Sequence, residues 1–230
     1  MTATHRAAAL ALLALPFVMA PGKCGFALDF TETILIPDHV EQIVIDADDG
    51  SVVATSYARQ ATLLKRHTFG FEPSVGEVDF TIEDGVLHFV ARCKYEGNCR
   101  FDHMLELPLG ISFEITMKDS QISLGYIGGD IDVTFETGWF RGVRLESPNT
   151  RIELGEGDVT LDHATAPETV TVELGEGTVE LLVPPGAYQC KFTADNGKVD
   201  TSDDITCDDA AEAVLDITVK TGDITVKGAE

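Results

Sequence analysis

Basic residues are scarce in this chain. Lysine and arginine number 16 against 39 aspartates and glutamates, giving a net charge of −23. That excess argues against nucleic acid or an anionic membrane surface as a partner, since both present dense negative charge. Long apolar runs are scarce too. The one continuous run, Ala7 to Ala20, is too short to span a bilayer comfortably. No segment after it is long and apolar enough to be a membrane span. Catalytic signatures are missing: there is no G-x-S-x-G elbow, no H-E-x-x-H and no P-loop. Nor is there a convincing long helical pattern beyond the first run. His67, His88 and His103 are scattered, without metal-ligand spacing.

The first apolar run has the length of a secretory h-region, and Ala20-Pro21-Gly22 supplies small residues for cleavage. The expected organisation is a signal peptide at 1–22, an N-terminal linker at 23–29 and one domain at 30–230. No transmembrane span remains in the mature chain. The protein is then exported, to the periplasm, the outer membrane or the extracellular space.

Export gives the five cysteines a meaning. In an oxidising compartment an even set reads as disulfides. Nearest neighbours would pair Cys93 with Cys99 and Cys190 with Cys207. Four cysteines allow three pairings, and spacing alone does not choose among them. C-x5-C without a second close Cys or His pair is wrong for zinc, so no metal or other cofactor is expected. Cys24 is left over. It stands where a lipid-modified cysteine would stand, although Lys23 occupies the place of a small residue. It is a candidate lipid anchor or a free thiol.

What the chain has in quantity is alternation. RIELGEGDVTL starts at Arg151 and TVELGEGTVEL at Thr171, an offset of 20 residues. Apolar residues recur at every second position: Ile152, Leu154, Val159 and Leu161, then Val172, Leu174, Val179 and Leu181. That is the pattern of short strands with one wet and one buried face. Gly-Glu-Gly lies between the halves of each copy. It reads either as a hairpin turn or as the corner of a stacked rung. On stacked rungs Glu153 and Glu173 would face each other. The same grammar runs through most of the chain, with turns at Asp48-Asp49-Gly50 and Glu83-Asp84-Gly85. Separate short strands are expected at Ser112 to Met117, Gln121 to Leu124 and Asp130 to Phe135. Asp208 to Ala213 could hold one helical turn. Asp46, Asp48 and Asp49 lack the further ligands of a calcium loop and read as an acidic turn. Trp139 and Phe140 lie in a Gly-rich stretch. They read either as a plug closing the core or as an exposed pair that contacts a ligand.

The units GGDIDVTF, GEGDVTL, NGKVDT and TGDITVKG, with the corners LPLG and VPPG, resemble the bacterial putative-adhesin β-solenoid family from about Asp46 to Gly228. The resemblance implies an all-β solenoid of short stacked strands in the cell envelope or outside the cell, with an adhesive or scaffolding role. It offers no catalytic residues to carry over. The leading expectation is a non-enzymatic surface module that binds a protein or glycan. The second is a lipid-anchored periplasmic binding or envelope-stress sensing component. The third is a polysaccharide-acting enzyme, on fold analogy alone.

Overall fold

The computed structural model describes residues 27–36, 40–56, 62–71, 75–94 and 99–229. The expected signal peptide, Cys24 and residues 95–98 lie outside them. Among the described residues there is no helix, and the strands join into one large sheet system. At Asp208 to Ala213, where one helical turn was expected, Ala211 N–H donates to the Asp208 carbonyl and the Asp208 carboxylate accepts from Ala210. This is a tight turn stabilised by its own aspartate.

The centre of the molecule is four consecutive strands: β8 (Ser112–Gly125), β9 (Ile131–Leu145), β10 (Asn149–His163) and β11 (Thr169–Val183). They pair in parallel, each with the next. Ile152 lies against Val172, Glu153 against Glu173, and Val159 against Val179. The hairpin reading of Gly-Glu-Gly therefore gives way to the corner reading. The two halves of a copy pair with the neighbouring strand and not with each other. The expected short strands are likewise halves of single bent strands, because hydrogen bonding resumes directly beyond each corner.

Glycine makes that possible. Gly157 and Gly177 have φ of 140° and 138°, a region L side chains rarely adopt. Space forbids a side chain as well. A Cβ on Gly157 would lie 1.7 Å from the Gly138 carbonyl oxygen, and one on Gly177 would lie 1.6 Å from that of Gly157. The corners stack backbone on backbone.

Alternation then fills the interior. Ile115, Val133, Ile152 and Val172 form one buried row, and Ile122, Phe140, Val159 and Val179 another. Each such side chain contributes roughly 1.5–3 kcal/mol by leaving water.

The ends are built differently. Preceding β8 in sequence are β1 (Ala27–Ile36), β2 (Gln42–Ala47), β3 (Gly50–Ser56), β4 (Thr62–Phe71), β5 (Val75–Glu83), β6 (Val86–Cys93) and β7 (Cys99–Leu107). β2 lies between β6 and β8, and β3 between β7 and β8. The β6/β7 rung thus stacks outside β2/β3 although it comes later in the chain. Antiparallel strands β5, β4 and β1 complete this end.

After β11 come β12 (Gly186–Asn196), β13 (Val199–Thr201), β14 (Ile205–Cys207), β15 (Val214–Thr221) and β16 (Ile224–Gly228). β15 and β16 insert between β11 and the β12/β13 rung. At both ends, then, the penultimate rung is out of sequence order. Both outermost rungs carry a disulfide, Cys93–Cys99 between β6 and β7 and Cys190–Cys207 between β12 and β14. This is the nearest-neighbour pairing.

Candidate binding face

Residues that alternate with the core point outward, and pairing sets their neighbours. Beyond the corner, one outward row runs Ser51, Gln121, Trp139, Asp158, Thr178. The next runs Met104, Val53, Ser123, Arg141, Thr160, Glu180. Adjacent strands stand about 4.8 Å apart, so these side chains tile one continuous face.

Trp139 is 38% exposed on that face. Phe140 corrects the expectation of an exposed pair. It is buried between Ile122 and Val159 and is closed to any ligand. Consecutive residues of a strand point to opposite faces, so only one of the two can meet solvent. Each reading of the pair thus fits one residue: Phe140 fills the core, and Trp139 stands outside.

The surroundings of Trp139 are unusual for so acidic a chain. On its β8 side Ser51, Gln121 and Ser123 are uncharged, and Asp158 on β10 is the one carboxylate in register with it. Val53 and Met104 are exposed neighbours and extend an apolar edge. The bordering carboxylates are engaged. Asp102 accepts from the Ser51 hydroxyl at 2.7 Å and from Arg100 Nε at 2.8 Å. Asp158 Oδ1 is turned toward Thr178 on β11. Arg92, Arg100 and Arg151 each bridge to carboxylates, whereas Arg141 has no carboxylate partner among the described residues.

The face before the corner has the opposite character. An open groove of about 420 Å³ runs along Thr134, Glu153, Glu173 and Thr218. A second, of about 560 Å³, includes Glu114, Asp130, Asp132 and Arg151. Glu153 and Glu173 do stand side by side, with Arg151 on Glu153. Among the described residues no three His, Cys, Asp or Glu side chains are grouped to hold a metal ion. The acidic turn is tied into the fold. Asp46 bridges Arg92, and Asp48 accepts from the Cys93 N–H and pairs with Lys118 at 3.4 Å. Burial, then the nearby Asp119 and Asp48 charges, push the Asp49 carboxyl above its ordinary range.

Among the described residues two histidines are internal. His103 packs edge-on against Phe89, with ring centroids 4.2 Å apart. His163, which sequence reasoning passed over, is fully buried, and neither ring nitrogen has a hydrogen-bond partner. Burial lowers its pKa to about 4, against the opposing pull of the Asp162 charge. The signal was present: His163 continues the inward parity of Val159 and Leu161.

No family model matches the chain, and no curated protein matches it. Solved structures do. A putative cell adhesion protein from Clostridium sporogenes is similar over 88% of this chain and 100% of its own, with 14% identity and a TM-score of 0.44. A putative adhesin from Parabacteroides merdae covers 88% of this chain and 96% of its own, with 11% identity and a TM-score of 0.36. A putative lipid binding protein from Parabacteroides distasonis covers 90% and 98%, with 10% identity and a TM-score of 0.36. The likeness to putative adhesins read from the Gly-Asp units is met again among these structures.

Proposed function

We propose that this protein is an exported, non-enzymatic β-solenoid whose outer face binds a glycan or protein at the bacterial cell surface. The domain is taken as 30–230, following a signal peptide at 1–22. The solenoid reading rests on in-register parallel pairing at a 20-residue offset and on the stacked glycine corners. Export is supported by the two disulfides.

The observation that carries the binding role is Trp139. It stands exposed between Gln121 on β8 and Asp158 on β10, with the uncharged Ser51 and Ser123 on its β8 side. An indole offers a rigid apolar platform to a sugar ring or an aromatic side chain. Gln121 and Ser123 supply the hydrogen-bonding groups that a hydroxylated ligand needs. Because these side chains rise from paired strands, the platform is preorganised.

The test is a glycan and protein array probed with the mature chain and with Trp139→Ala. Binding that falls more than tenfold in the variant supports the face as the site. Undiminished binding removes it. A second reading, a lipid-anchored envelope component, is favoured by the cysteine count. Four cysteines are joined in two bonds, which leaves Cys24 available. Palmitate labelling of wild type against Cys24→Ser decides it, since a label that persists in the variant is not on Cys24.

A further inference from the structure

We propose that the ligand of the Trp139 face is a saccharide bearing a single carboxylate, with its ring on Trp139 and its carboxylate on Arg141. The inference rests on the binding role argued above and adds the chemical class of the ligand. Trp139 and Arg141 are two residues apart on β9, so they share a face at roughly 7 Å along the strand. A sugar ring stacked on the indole can turn its own acidic substituent, or that of its neighbour, toward the guanidinium.

Arg141 is exposed and has no carboxylate partner among the described residues of a chain with 39 acids. Its neighbours in register are Ser123 and Thr160, both neutral. Asp158, a diagonal neighbour of Arg141 in the register, holds the Thr178 N–H and hydroxyl on the opposite side. A guanidinium so placed is a ready two-pronged donor for a carboxylate.

The surrounding charge limits how acidic the ligand can be. Apart from Arg141 itself, the row from Met104 on β7 to Thr160 on β10 carries no charge over four strand spacings, or roughly 19 Å. Asp158 and Asp162 on β10, Asp102 and Glu106 on β7, and Glu180 on β11 border it. At physiological salt, charges are felt over only about 8 Å. The one guanidinium answers a single carboxylate on the ligand, whereas further negative charges would fall against the acidic border.

The experiment is titration calorimetry at physiological salt with three probes: a trisaccharide ending in glucuronate, the same trisaccharide ending in glucose, and heparin. Wild type is expected to bind the glucuronate form about tenfold or more tightly than the glucose form, and heparin no better than the neutral sugar. Arg141→Gln, checked for an unchanged circular dichroism spectrum, should erase the preference and leave affinity for the glucose form intact. Arg141→Lys should restore part of it. Equal binding of the two trisaccharides by wild type overturns the inference and leaves the glycan reading standing. So does a preference that survives Arg141→Gln, or heparin binding most tightly. Binding of none of the probes overturns the inference. If the glycan array is also blank, the glycan reading falls with it.

Discussion

The Asp158 carboxylate accepts two hydrogen bonds from Thr178 on the next rung. One comes from the backbone N–H at 3.1 Å and one from the hydroxyl at 2.6 Å. Asp223 stands in the same outward row and accepts the Lys198 N–H at 2.9 Å. In both cases the aspartate directly follows a corner glycine, and the amide it caps also directly follows one. The bend turns that amide out of the ladder, and the carboxylate satisfies it. The Gly-Asp pair is thus a structural device. Asp158→Ala should cost about 1 kcal/mol in urea unfolding, and Asp158→Asn, which keeps an acceptor, less. An equal loss in both variants would mean that charge, not the cap, matters there.

Glycine at the corner can be tested for space separately from backbone conformation. Gly157→Ala meets both obstacles, a φ of 140° and a carbonyl oxygen at 1.7 Å. It should destabilise by about 3 kcal/mol or more. Gly110→Ala meets only the first, since its φ is +84° and nothing lies within 4 Å of the added Cβ. It should cost about 1 kcal/mol. Thermal unfolding of the two variants gives the comparison.

His163 makes stability depend on pH. Its pKa is about 4 when folded and near 6.5 when unfolded. Above about pH 6.5 both states are neutral there, and its contribution is fully present. As pH falls from 6.5 to 4, only the unfolded state takes up the proton. Stability then drops by up to about 1.4 kcal/mol per pH unit, roughly 3 kcal/mol in all. Urea midpoints measured from pH 7 to pH 4 should fall more steeply in wild type than in His163→Leu. Identical slopes would show that other groups govern the acid limb.

The two disulfides should differ in weight. The Cys190–Cys207 bond closes a separation of 17 residues and the Cys93–Cys99 bond one of 6. Loop-closure entropy assigns them about 3 and about 2 kcal/mol. Double Ser replacement at each pair, followed by hydrogen exchange, should loosen only the outermost rung it serves and leave β9 to β11 protected.

Much of this architecture was legible in the sequence, and the unread parts share a cause. Alternation identifies which face a residue occupies. Ile152, Leu154, Val159 and Leu161 are all buried as their spacing implies. The same parity would have separated Trp139 from Phe140 and placed His163 inside. The cysteines were legible as a disulfide set, and the structure selects the nearest-neighbour pairing among the three. Partner choice was not. Nothing in Gln42–Ala47 says that it lies between β6 and β8, because parallel pairing is a choice among distant strands with equivalent patterns. At the proposed binding face, Trp139 stood out by composition. The vacancy of Arg141 became visible only when register showed which carboxylates lie beside it and where they are turned.

The displaced rungs at the two ends make the ends into fixed bookends. Each is interleaved with its own neighbour and stapled by its own disulfide, while β9, β10 and β11 between them follow one another in simple succession. The height of the stack is therefore a free variable. Copying residues 149–168 once more in tandem should insert a single storey of about 4.8 Å and carry Trp139 away from the carboxy-terminal end without disturbing either bookend.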